Sequence, residues 1–429
     1  MLAKQRPILW SRYRKIRRLI KRGLLYLRFT RFRYRPQNLD DFMYVLFVLR
    51  YFRRFNSRKV RNHARDALCL VGDLGPASKQ VLAHVIEMIL SEDLTRATRR
   101  ETALRNVNSV VSSLHCSDLL RSDWLTLHRE LMMHGLLTTA LISQQRILEV
   151  DLTSPQVGVK ARACFLRGQV ADAAQLLDLD YPQGATSATM RLSDLASLFS
   201  RDSPRPEWEH SVAHRPQEDL YRGRSVALVG PGPIGALQGE HIDSFDVVVR
   251  VKHAFPGEGR SRNSGSRCDV VYANARTAAM IAREIDGEES SNRKPAVWVG
   301  ARALPGANAQ VIASMPLGFR LICARASIFI RALVEILSAG VSNVGVFGMT
   351  LYLGGSSATE RLGYQRLRDH FPREPLSVGF ANHDLLSQKI ILSELSKNPA
   401  IELGDETRHV ADLDMQDFAT QLTEEYSTW

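Results

Sequence analysis

The apolar positions of the 429-residue chain follow two rhythms, and the rhythm changes near residue 225. Leu9, Tyr13, Ile16, Ile20, Leu24 and Leu27 recur at steps of three and four, which predicts an amphipathic helix. The same helical spacing runs through Gln80 to Leu90, Thr98 to Leu114 and Leu125 to Leu141. Ala161 to Leu177 reads as one helical hairpin, and no second copy follows at a fixed period. Beyond residue 225 the apolar residues come instead in short unbroken runs. Ser225–Val229, Asp246–Val251 and Val344–Phe347 predict buried strands. Ser327 to Gly340 predicts a helix between them, with Gly340 as its C-terminal stop.

These rhythms divide the chain. The stretch Arg201-Asp-Ser-Pro-Arg-Pro-Glu-Trp-Glu-His, with Pro216 soon after, is polar and proline-bearing and suits a linker. The expected organisation is a basic amphipathic segment over 1–60, a helical accessory domain over 61–200, a linker over 201–221 and one α/β domain over 222–429.

Charge sharpens the first of these. Residues 1–60 carry 18 Lys and Arg against two Asp, a local balance of +16 in a chain whose net charge is +12. Arg12, Arg14, Lys15, Arg17, Arg18, Lys21 and Arg22 fill the face opposite the apolar stripe, and Trp10 lies near its start. Such a helix suits an anionic membrane surface, with its stripe in lipid and its cations among the headgroups. Packing against its own protein is the alternative. Nucleic acid attracts the same charge, but no DNA- or RNA-binding motif accompanies it, so no nucleic-acid partner is expected. No apolar run reaches the roughly 20 residues of a membrane span. The segment from Met1 to Pro7 lacks an apolar signal-peptide core. The five cysteines, Cys69, Cys116, Cys164, Cys268 and Cys323, are scattered and odd in number, which fits a reducing compartment. A cytoplasmic protein is expected, peripheral on the inner face of the cytoplasmic membrane if the basic helix binds lipid.

Candidate chemistry begins where the first strand runs into Gly230-Pro-Gly-Pro-Ile-Gly235. Glycines in a strand-to-helix turn let backbone N–H groups approach a phosphate. Gly230, Gly232 and Gly235 alone fit a dinucleotide fold, which also requires a long helix after the turn and an acid at the end of the second strand. Here the stretch 236–245 is short and carries Gly239, and the second strand ends in Arg250 and Lys252. Arginine would suit a phosphorylated nicotinamide cofactor, so an NADP-dependent oxidoreductase is the alternative function, and a non-catalytic nucleotide-binding protein a third.

A longer pattern surrounds the glycines. Val226-Ala-Leu-Val-Gly-Pro-Gly-Pro-Ile is followed by Gly239-Glu-His-Ile-Asp-Ser-Phe-Asp-Val-Val-Val-Arg250, then by Gly265-Ser-Arg-Cys-Asp-Val-Val-Tyr-Ala-Asn274. In order, spacing and residue type these fifty or so residues resemble the large motif of the sialyltransferase family. Ser327 to Gly340, with Val344-Gly-Val-Phe-Gly348, resembles that family's small motif. His370-Phe371 and His383-Asp-Leu-Leu-Ser-Gln388 resemble its two histidine motifs.

The resemblance implies a Rossmann-like doubly wound sheet and inverting transfer of a sialic-acid-like or other ulosonic sugar from a CMP-activated donor to a hydroxyl of a glycan or glycolipid acceptor. It implies that Gly230, Gly232, Gly235, Arg250, Gly265, Ser266, Arg267 and Ser327 hold the donor. His383 is then the base and His370 the support for the departing phosphate; imidazole suits such a base because its pKa lies near neutrality. The chain departs from the family at Pro231 and Lys252, where it usually has Asn, at Phe329 where it has Gly, and at Gln388 where it has Glu. Lys252 offers a point charge to a phosphate or sugar carboxylate. The animal enzymes' motif-linking disulfide has no counterpart here, because Val226 stands at one of its positions. A CMP-sugar has one phosphate, so neither a metal nor a separate cofactor is expected. Asp178-Leu-Asp180 and Asp412-Leu-Asp414 read as acids at turns or helix edges.

Overall fold

The computed structural model describes residues 105–180 (apart from 106 and 134), 216–252 (apart from 236), 261–273, 297–299, 310–312, 321–354 (apart from 323 and 325) and 383–427. The basic segment 1–60, the run Gln80 to Leu90, most of the expected linker and His370 lie outside the described residues. The chain forms two compact units, Met1–Ile147 and Leu148–Trp429.

In the first unit, residues 107–113 are helical and are followed by α1 (Arg121–Met133) and α2 (Leu137–Leu152), whose last turns belong to the second unit. The single helix expected over 125–141 is therefore broken. Gly135 takes φ +71°, and the N–H groups of Gly135 and Leu136 donate to the carbonyls of Met132 and Leu131. That is a left-handed helix stop, which glycine permits without steric cost. Trp124 is fully buried and donates its indole N–H to the Cys116 carbonyl at 3.0 Å.

The second unit begins with the helical hairpin read from the sequence, α3 (Val157–Leu166) and α4 (Val170–Asp180). Residues 216–221, at the end of the expected linker, form a short helix, α5 (Pro216–Tyr221), and Tyr221 is buried. An α/β sheet follows. Its strands are β1 (Ser225–Val229), β2 (Val247–Val251), β3 (Val270–Tyr272), β4 (Val297–Val299), β5 (Gln310–Ile312), β6 (Asn343–Phe347) and β7 (Ile401–Leu403). The helices between and after them are α6 (Gly239–Ser244), α7 (Ser261–Ser264), α8 (Ile328–Ser338), α9 (Leu385–Leu395), α10 (Asp405–Asp412) and α11 (Met415–Ser427).

The seven strands lie in the order β5-β4-β3-β2-β1-β6-β7, and every neighbouring pair is parallel. From β1 the chain builds outward to β5, then returns to the other side of β1 to lay down β6 and β7. Parallel strands covered on both faces read as nearly continuous apolar runs. Accordingly all five residues of β2 are buried, as are all but the first of β1 and of β6. Ala227, Val229, Ile242, Phe245, Val248 and Phe347 form one cluster beneath the β1–α6 connection, with the rings of Phe245 and Phe347 edge to face at 6.0 Å. Among the described residues no helix is long and apolar enough to cross a membrane.

Candidate functional site

The strand order reverses at β1, where the chain returns from β5 to β6, and a crevice lies beyond the carboxyl ends of the strands there. In open parallel sheets such a reversal is where ligands bind. Pro231 and Gly232 after β1, Val251 and Lys252 at the end of β2, Ser327 to Phe329 at the start of α8, Gly348 to Tyr352 after β6, and His383, Leu385 and Gln388 around the start of α9 all line one cleft here. Four sequence-predicted residues thus meet: Gly232, Lys252, Ser327 and His383.

The glycines act differently from the expectation. The N–H of Gly230 donates to the Phe347 carbonyl at 2.7 Å, and that of Gly232 to the Gly348 carbonyl at 3.0 Å. A Cβ at either glycine would stand 2.5 Å from the Gly348 oxygen. These two glycines bring the β1 and β6 turns into backbone contact, and their N–H groups are engaged there. Gly235 sits apart, where a Cβ would meet Glu406 at 2.6 Å.

Arg250, Gly265, Ser266 and Arg267 are not brought to the cleft. Arg250 is fully buried, and its guanidinium donates to the carbonyls of Ser264, Gly265 and Arg267 at 2.7–3.0 Å. The Asp243 carboxylate accepts from the Ser266 N–H and hydroxyl and from the Arg267 N–H. Arg267 itself donates to the carbonyls of Asp243, Phe245 and Asp246. Gly265, at φ +72°, has no room for a Cβ, which would lie 2.4 Å from an Asp243 oxygen. This part of the long motif is a scaffold that ties α6 and the 264–267 turn to β2 and to the start of β3.

Lys252 escapes that scaffold because β2 ends before it. In a continuing strand, residues 250 and 252 would share a face. Lys252 takes φ +66°, donates its N–H to the Tyr272 carbonyl, and lines the cleft while Arg250 faces the turn. Leu351 and Tyr352, at φ +47° and +77°, line the same cleft, and Asp384, at +49°, follows His383. Thus three of the five non-glycine residues with positive φ among those described line one crevice, and a fourth adjoins its lining residue His383. Such conformations cost about 1–3 kcal/mol each and collect at functional sites.

Lys252 and His383 are the titratable groups with shifted pKa values among the described lining residues. Burial lowers the pKa of the Lys252 ammonium, and no described lining residue is acidic. Burial, then the charge of Lys252, push His383 down to about 4, so its imidazole is neutral at pH 7 and able to take a proton. The His383 ring lies against Tyr352, with centroids 6.4 Å apart. Ser327 caps α8 by accepting from the Ile330 N–H, and the start of that helix, Ser327 to Phe329, lines the same cleft. Gln388 is buried; its Nε2 donates to the His383 carbonyl and its Oε1 has no protein partner.

The described walls enclose about 80 Å³, the scale of a phosphate and its nearest neighbours rather than a whole nucleotide. A second groove of about 750 Å³ adjoins it at Thr350 and is edged by Asp405, Glu406, Glu424 and Glu425. Tyr352, Thr350 and Met349 had no signal in the sequence, since they follow Gly348 without a motif of their own. Asp412 ends α10, and the Asp414 carboxylate accepts the Asp417 N–H at the start of α11. Among the described residues no group of three or more His, Cys, Asp or Glu could hold a metal ion. No protein family, curated protein or solved structure matches the chain.

Proposed function

We propose that this protein is a CMP-sugar-dependent glycosyltransferase of the sialyltransferase type, built on a doubly wound Rossmann-like sheet whose order reverses between β1 and β6. The observation that carries the reading is the meeting of Lys252, His383 and the start of α8 in one cleft beside the β1 turn. A phosphate there gains a cation and the positive end of a helix. The rest of the donor and the acceptor extend into the adjoining groove, whose carboxylates suit sugar hydroxyls. His383 takes the proton of the acceptor hydroxyl while that oxygen bonds to the anomeric carbon. The bond from that carbon to the phosphate oxygen breaks on the opposite face, and CMP leaves with the electron pair. Lys252 and the α8 N-terminus stabilise the charge that develops on the leaving phosphate. His370 is assigned support of the departing phosphate.

The oxidoreductase reading finds less support. The N–H groups of Gly230 and Gly232 are engaged by Phe347 and Gly348, the helix after the turn is the six-residue α6, and β2 leads to Lys252 rather than an acid. The test is a thermal-shift panel of CMP, UDP, GDP, NAD and NADP. Stabilisation by CMP is expected; stabilisation by NADP alone would exclude the transferase.

A further inference from the structure

Gln388 holds the least explained polar atom of the cleft. The residue is 1% exposed, lines the cleft, and donates through Nε2 to the backbone carbonyl of His383. That bond fixes which end of the carboxamide faces where, because turning it over would set Oε1 against a carbonyl oxygen. Oε1 is therefore held as an acceptor only, buried and without a protein partner. Buried acceptors are nearly always satisfied, and a cleft-lining residue can find its missing partner in what enters the cleft.

We propose that Gln388 is a specificity-determining residue, whose Oε1 accepts a hydrogen bond from an N–H or O–H group borne by the same anion that Lys252 binds. This rests on the anion-site reading above and extends it. The cleft selects a ligand with two features close together: a negative charge for Lys252 and a hydrogen-bond donor for Gln388. A ligand that sets an acceptor or an apolar group against Oε1 leaves the buried oxygen unpaired and is rejected. Within a cytidine nucleotide the donor is either the exocyclic amine of the base or a ribose hydroxyl.

The experiment measures affinities of the full-length protein by calorimetry for CMP, UMP, 2′,3′-dideoxy-CMP and inorganic phosphate. UMP lacks the amine and the dideoxy nucleotide lacks the hydroxyls, so the two arms separate the two sources. One of them is expected to bind about tenfold more weakly than CMP, the worth of one hydrogen bond. Gln388→Met should bind CMP and that ligand alike. Lys252→Met should weaken all four. The wild-type comparison needs no variant to fold, and Gln388→Asn, which draws the oxygen back by one methylene, serves if Gln388→Met does not. Equal affinity of the wild type for all three nucleotides, or unchanged discrimination in Gln388→Met, would overturn the proposal while leaving the anion site standing. If neither CMP nor phosphate binds the wild type, the anion-site reading itself fails, and this inference with it.

Discussion

His383 and Lys252 line the same cleft from different parts of the chain, just before α9 and just after β2, and the lysine's charge reinforces what burial does to the imidazole. Both effects disfavour protonation, so His383 rests neutral with its pKa near 4. An anion bound beside Lys252 would cancel the lysine's contribution and raise the basicity of the imidazole when substrate is present.

Lys252→Met is therefore expected to raise the His383 pKa above about 4, though not to 6.5, because burial is the larger cause. Saturating phosphate should move the wild-type value the same way. Following the imidazole C–H resonances by NMR from pH 3 to 8 checks both. An unmoved pKa in both experiments would place Lys252 outside the field of His383.

The same shift gives stability a pH dependence. The folded pKa is below the unfolded value of about 6.5. Between the two, the unfolded chain binds more protons, so stability falls as pH drops from about 6.5 through about 4 and then levels off. The loss from this group is about 3 kcal/mol at most. Denaturant midpoints across that range should be flatter for His383→Gln than for wild type.

Arg250 and Gly230 should matter to folding rather than to ligand. Arg250→Met leaves the carbonyls of Ser264, Gly265 and Arg267 without their buried donor, at a cost of about 3 kcal/mol. Gly230→Ala forces the β1 turn off the Gly348 oxygen, at about 1–3 kcal/mol. Chemical denaturation measures each. A Lys252→Met protein should lose less stability than either, since removing a desolvated cation relieves its burial.

How far the sequence could be read depends on the range of the forces involved. Ser225–Val229 and the helix from Ser327 to Gly340 were legible because local signals mark them: an unbroken apolar run, a serine cap, and a glycine stop that takes φ +78°. β4, β5 and β7 have three residues each, too few to show a period, and exist because a neighbouring strand pairs with them. The site divides the same way. His383 and Lys252 could be named from the pattern. That Arg250 and the 265–267 turn serve as scaffold could not, because the direction of Arg250 is set by carbonyls 14 to 17 residues away. The unpartnered oxygen of Gln388 is likewise a tertiary fact, fixed by its bond to His383.

The most direct test of the central claim is turnover against nucleotide affinity for His383→Ala, with a CMP-ulosonic-acid donor and a hydroxyl-bearing glycan acceptor. A base acts only as the new bond forms, so its loss should slow CMP release about 10²–10⁴-fold and leave CMP affinity within about twofold of wild type. A His383→Ala protein that turns over at the wild-type rate would contradict the account.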